Sequence, residues 1–145
     1  MMPISLVYLV SAGLGWLTAQ VVKTLIHRGK KGGKGLRMLY LSGNMPSAHT
    51  ATWTSLTTVV GLHEGLGSGL FAITVVLTAM TAYDAMMVRR SAGEQGSALR
   101  KLLEKSPFAK DPLPYQALGH RPLEVAVGGL IGIAVGLIVA FLITI

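Results

Sequence analysis

Two histidines, a lysine, a pair of arginines and a glutamate stand in this sequence at spacings that suit phosphate chemistry. In Gly119-His120-Arg121-Pro122-Leu123-Glu124 the imidazole and the carboxylate are one helical turn apart. Glu124 can therefore hold one ring nitrogen of His120 and leave the other directed at a substrate. An imidazole supported in this way suits a general base or a nucleophile. In Pro46-Ser47-Ala48-His49-Thr50 a proline opens a helix. The backbone N–H groups that follow have no partner within the helix, and the macrodipole places partial positive charge beside them, which makes the turn an anion site. Ser47 adds a hydroxyl and His49 a titratable donor. Lys23 and the pair Arg89-Arg90 supply cations. Arginine fits phosphate oxygens with two parallel bonds, and lysine acts as a point charge.

Each piece also has a structural explanation. Ser47 can be a plain helix cap with His49 packed locally, His120 and Glu124 a buried structural pair, and the basic residues snorkelling ends of helices. Lys23 fits the last description least well, because Gln20 and Thr24 share its helical face and Arg28 already supplies a boundary charge. Asp84 either holds one of the arginines or takes part directly. Two histidines and two scattered carboxylates form a poor ligand set, so no metal is expected. No cofactor is expected either.

The elements that position these residues follow from hydropathy. With 51% hydrophobic and 13% charged residues in a chain of 145, and a positive mean hydropathy, the solvent for most of the surface is lipid. Residues 4–22, 66–83 and 125–145 carry no charged side chain, and each approaches the roughly 20 residues that cross about 30 Å of hydrocarbon. A fourth uncharged stretch, 38–62, is interrupted at 42–46, so its helix is predicted to begin near Pro46 with its first turn just below the membrane surface. The expectation is an all-α integral membrane bundle of about four transmembrane helices forming one domain over 1–145. A short amphipathic helix is predicted over 91–105 in the long loop, with Leu99, Leu102 and Leu103 on one side, followed by a proline-rich connector over 106–114. The N-terminus lacks the basic residues that precede the apolar core of a cleaved leader.

Charge orients the bundle. Apart from Lys23, every lysine and arginine lies within 28–37 or 89–121, which places both segments in the cytoplasm by the positive-inside rule. Lys23, His49, Asp84 and His120 then all fall at the cytoplasmic ends of their helices. Ionisable groups in that setting are costly and mark function, whereas His63 and Glu64, at the opposite end, read as turn residues. The net charge of +7 reads as topology and attraction to anionic lipid. No aromatic platform or groove-reading motif accompanies it, so nucleic acid is not an expected partner. The chain contains no cysteine, which leaves out disulfide and thiolate chemistry.

The order Lys, Pro-Ser-x-His, Arg, His-x-x-x-acid resembles that of the type 2 phosphatidic acid phosphatase and vanadium haloperoxidase superfamily. The strings Met45-Pro46-Ser47-Ala48-His49, Tyr83-Asp84-Ala85 followed by Val88-Arg89-Arg90, and Gly119-His120 followed by Pro122-Leu123-Glu124-Val125 are similar to those of its divergent branch of small membrane proteins. The resemblance implies a metal-independent phosphatase of a bacterial-type plasma membrane. His120 would form a transient phosphohistidine, with Glu124 orienting it, while His49 would protonate the leaving oxygen and then activate water. Lys23, Ser47, Arg89 or Arg90, and the N–H groups after Pro46 would hold the phosphate oxygens. The better-known branch has glycine where Ala48 stands, aspartate where Glu124 stands, and an arginine close before its second histidine. Arg28 or Arg121 could therefore replace Arg89 or Arg90.

A site under basic loops suits a lipid phosphate or diphosphate whose chains stay among the membrane lipids, with a soluble phosphate ester as the alternative substrate. The rival reading is a non-catalytic scaffold or transport component that binds phosphate. Gly128, Gly132 and Gly136, at every fourth position of the last helix, permit close helix contact, either within the chain or in a homodimer.

Overall fold

Apolar runs bounded by serine, glycine and proline become helices, and their ends follow the capping rules. The computed structural model describes residues 2–28, 45–107 and 119–144. The helices among them are α1 (Ile4–Arg28), α2 (Ala48–Glu64), α3 (Gly69–Tyr83), α4 (Arg89–Leu103) and α5 (Pro122–Thr144). Ser47 caps α2, and its hydroxyl accepts from Thr50 N–H. Gly65, at φ 86°, ends α2 in a conformation that L side chains resist. Ser68 Oγ then accepts from Phe71 N–H at 3.1 Å and starts α3. Among the described residues there is no strand.

Among the described residues three stretches are long and apolar enough to cross a membrane: Ile4–Ile26, Gly69–Leu103 and Pro122–Ile143. The reading of four spans is met by three, because α2 has only 17 residues, about 25 Å at roughly 1.5 Å per residue. The lipid-facing character is plain in side chains such as Leu9, Leu66, Ile73, Leu130 and Phe141, all exposed on the outside of the bundle.

α2 is the central helix. It packs against α1, α3 and α5, while α3 rests chiefly on α2. Lipid provides no hydrophobic drive between helices, so close packing and polar bonds must hold them. A side chain at Gly128 would strike the carbonyl of Ser47, one at Gly132 would strike Thr54 and the carbonyl of Ala51, and one at Gly136 would come within 2.7 Å of the carbonyl of Ser55. The glycine stripe is therefore used within the chain, where it seats α2 on α5. Ser11 and Ser55 tie α1 to α2, with their hydroxyls 2.7 Å apart and Ser55 Oγ donating to the Ser11 carbonyl at 2.9 Å. The Thr57 and Thr78 hydroxyls, 2.9 Å apart, tie α2 to α3.

The amphipathic segment is no separate loop helix. α3 and α4 form one unbroken helix over Gly69–Leu103, 35 residues long, joined by a single wider turn at Asp84–Val88. No proline or turn glycine separates the apolar and amphipathic halves, so nothing in the chain ends the first before the second begins. The basic segment 29–37, the interrupted stretch 38–44 and the connector from 108 onward lie outside the described residues.

Candidate functional site

Because α1 and α3 end where α2 and α5 begin, their polar termini meet at one end of the bundle. Lys23, one turn from the end of α1, is 4% exposed, and Gln20 on the same face is 6% exposed. Ser47 is fully buried and His120 is 5% exposed. His49, in the first turn of α2, is exposed. Close packing here relies on small residues: Ala19, Ala48 and Ala51 form the local core, with Ile131 packed against it.

Glu124 is the hinge of the arrangement. Its Oε2 lies 2.9 Å from His120 Nδ1 and accepts from Arg121 N–H at 3.2 Å, and its backbone carbonyl accepts from Ser47 N–H at 3.0 Å. The one residue thus orients the imidazole, leaves Nε2 as the outward nitrogen, and docks the Pro46–Ser47 turn onto α5. Burial pushes the His120 imidazole below its ordinary 6.5; the bond and charge of Glu124 draw it back up, and Lys23 and Arg89 push it further down. The ring is therefore uncharged at neutral pH, as a nucleophile or base requires.

The cations converge on the same point. Lys23, Arg89, Asp84 and His120 all lie close enough for their charges to act on His49, and Lys23 and Arg89 act on His120 as well. The two arginines divide. Arg89 Nε binds Asp84 Oδ2 at 2.5 Å, on the side of the histidines. Arg90 Nε binds Glu94 at 3.1 Å on the exposed face of α4. Arg90 borders an open groove of about 450 Å³ that runs from His120 past Lys101 and Arg121. Arg121 is exposed, and Arg28 is the last residue of α1.

Two details differ from the reading of the sequence. The Pro46 turn offers fewer anion donors than a bare helix start, since Ser47 N–H is taken by Glu124 and Thr50 N–H by Ser47 Oγ at 3.4 Å. The Ser47 hydroxyl also accepts from Thr50 Oγ1 at 3.0 Å, so the serine is a cap as well as a wall of the site. The second difference is a contact that no residue type announces: His120 N–H donates to the carbonyl of Ala85 at 2.9 Å. It is a backbone bond between distant segments, and the only sequence signal near it is Gly119, whose lack of a side chain lets the chain approach the backbone of Arg90. Among the described residues no three His, Asp or Glu side chains gather as a metal-ligand group.

A small helical membrane bundle with Lys, Pro-Ser-x-His, Arg and His-x-x-x-Glu gathered at one end defines a class, and comparison with known proteins gives the same one. The chain belongs to the Divergent PAP2 family, which matches residues 5–135. It is 38% identical over 114 residues to the uncharacterized membrane protein YuiD of Bacillus subtilis (strain 168), a match covering 69% of this chain and 72% of that protein. No solved structure matches.

Proposed function

We propose that this protein is a metal-independent membrane phosphatase that hydrolyses a lipid phosphate or diphosphate at the cytoplasmic interface through a phosphohistidine. The observation that carries the reading is the His120–Glu124 pair, 2.9 Å apart, at the same level as Lys23, His49 and Arg89. Burying Lys23 and His120 beside a second imidazole and a guanidinium at one end of a bundle weakens the fold, and a scaffold gains nothing from it.

In the proposed cycle, His120 Nε2 attacks phosphorus while the bond to the lipid oxygen breaks. The electron pair leaves with that oxygen, which His49, entering as imidazolium, protonates. His49, now neutral, takes a proton from water, whose oxygen attacks the phosphohistidine. Inorganic phosphate leaves and His120 returns to its starting state. Phosphoryl transfer depends mainly on position and on positive charge around the three equatorial oxygens. Lys23, Arg89, the Ser47 hydroxyl and the N–H groups of Ala48 and His49 would supply that charge. Arg89 is preferred to Arg90, because its charge bears on both imidazoles.

The proposed orientation rests on the basic segments, which favour the cytoplasmic side of a membrane. α2 then serves as a short fourth crossing, its first turn recessed below the headgroups and shielded by protein. A substrate whose phosphate lies at headgroup level and whose chains remain in lipid reaches the site without leaving the membrane. The test is phosphate release by purified protein in micelles, with EDTA present, across phosphatidic acid, phosphatidylglycerophosphate and prenyl phosphates and diphosphates. Release by wild type that His120→Ala abolishes is expected; absence of release from every substrate would contradict the assignment.

A further inference from the structure

The wider turn between α3 and α4 sits where the site is assembled. In a regular α-helix each N–H bonds the carbonyl four residues back, so Arg89 N–H would take the carbonyl of Ala85. Here Arg89 N–H bonds the carbonyl of Asp84, five residues back, and regular α-helix resumes from Arg89. One carbonyl, that of Ala85, is thereby passed over by its own helix. It is the carbonyl that accepts His120 N–H, at 2.9 Å. Ala85 is 3% exposed, so the bond is made out of solvent, where an unpaired carbonyl or N–H is costly.

Two further contacts converge on the same turn. Asp84, its first residue, binds the Arg89 guanidinium at the turn's far end. Gly119, just before His120, lies so close to the helix that a side chain there would overlap the backbone of Arg90. Single wide turns of this kind result from one extra residue in a helix and occur frequently at functional sites.

We propose that the extra residue in Asp84–Val88 is a positioning device for the phosphatase reaction: it frees the Ala85 carbonyl to fix the backbone of His120, and it lets Asp84, a positioning residue, aim Arg89 at the phosphate. The inference rests on the function proposed above. It assigns to Asp84 no proton transfer. Removing one residue from the turn would restore α-helical register, give the Ala85 carbonyl to Arg90 N–H, and leave His120 N–H without its partner.

The test compares wild type, a deletion of the exposed Met87, and Asp84→Asn. Steady-state phosphate release is measured on a lipid phosphate that wild type hydrolyses. Amide hydrogen exchange is followed in protein labelled with 15N-histidine, with the His63 amide in α2 as the internal control for folding. The deletion should lower kcat about 100-fold, the loss that a misplacement of about 1 Å can produce, and should expose the His120 amide while His63 stays protected. Asp84→Asn should raise KM about tenfold, as expected for loss of one charge-assisted bond that aims a ligand, with the His120 amide still protected. Wild-type kcat and a protected His120 amide in the deletion would overturn the inference. If the deletion loses His63 protection as well, Asp84→Asn decides: an unchanged KM overturns the aiming of Arg89. A wild type that protects the His120 amide but releases no phosphate from any substrate would instead overturn the proposed function, and with it any catalytic part for the turn.

Discussion

At one end of the bundle Lys23, Ser47 and His120 are withdrawn from solvent; at the other, Tyr8 donates to Glu64 Oε1 at 2.6 Å in an exposed bond and stacks edge-on against His63 at a centroid distance of 6.2 Å. Both ends carry polar side chains on α1 and α2, so polarity alone does not separate them. Burial does. The Tyr8 group satisfies itself at the surface and pins the ends of two helices together. The Lys23–His120 group is enclosed among alanines, glycines and a serine, where charge is expensive to keep, and the charge of Lys23 bears on the imidazole of His120. On the proposed function one end serves stability and the other serves chemistry at a cost in stability, so the two differ in what their substitution should do.

The largest effect is expected from His120→Ala, which should lower turnover at least about 10³-fold, as removal of a nucleophile does, while the thermal midpoint in detergent stays close to wild type. A variant that keeps its activity would place the chemistry elsewhere. Lys23→Met comes next. It keeps the length of the side chain and removes the charge, so turnover should fall about 100-fold, the loss typical of one donor at a developing charge, with no loss of thermal stability. A stability loss with full activity would make Lys23 a structural residue like those at the opposite end.

The pH profile sharpens the same contrast. Burial holds His120 below its ordinary 6.5, and only the uncharged ring can attack. The acid limb of kcat/KM, set by His120, should therefore lie below pH 6.5, while the proton that His49 must carry sets a separate alkaline limb. Glu124→Gln removes the charge that raises the imidazole and leaves only a neutral acceptor for it, so the acid limb should move to still lower pH while turnover falls. A limb at or above 6.5 in wild type would contradict the burial of the ring. The smallest effect belongs to the opposite end. Tyr8→Phe should destabilise by about 1 kcal/mol, one hydrogen bond, and leave turnover unchanged.

The contrast between the ends was partly legible in the sequence. Alternating helices with basic connections put Lys23, His49, Asp84 and His120 at one end, because successive spans reverse direction and each of these residues sits at a boundary. The His120–Glu124 pair followed from helical spacing, and the glycine stripe announced close packing without saying which helix it would meet. Seating α2 on that stripe explains why a helix of 17 residues can be central: small residues let backbones touch, and the length needed to span matters less than the surface it fills. Less visible were the bonds made by backbone. The links from Ser47 to Glu124 and from His120 to Ala85 involve no special side chain, and the extra residue in Asp84–Val88 leaves no mark in composition or periodicity. His63 and Glu64 look like turn residues in the sequence because their partner, Tyr8, lies in another helix.

The central claim is that phosphorus is transferred to His120 itself. The direct measurement uses His49→Ala and a 32P-labelled aryl phosphate. An activated leaving group departs without a proton donor, whereas hydrolysis of the phosphohistidine still needs the base that the variant lacks. Label should therefore accumulate on the protein in a form stable to alkali and labile to acid, and it should vanish when His120→Ala is added. Turnover of the labelled substrate by wild type, with no label retained by His49→Ala at any time, would contradict the account.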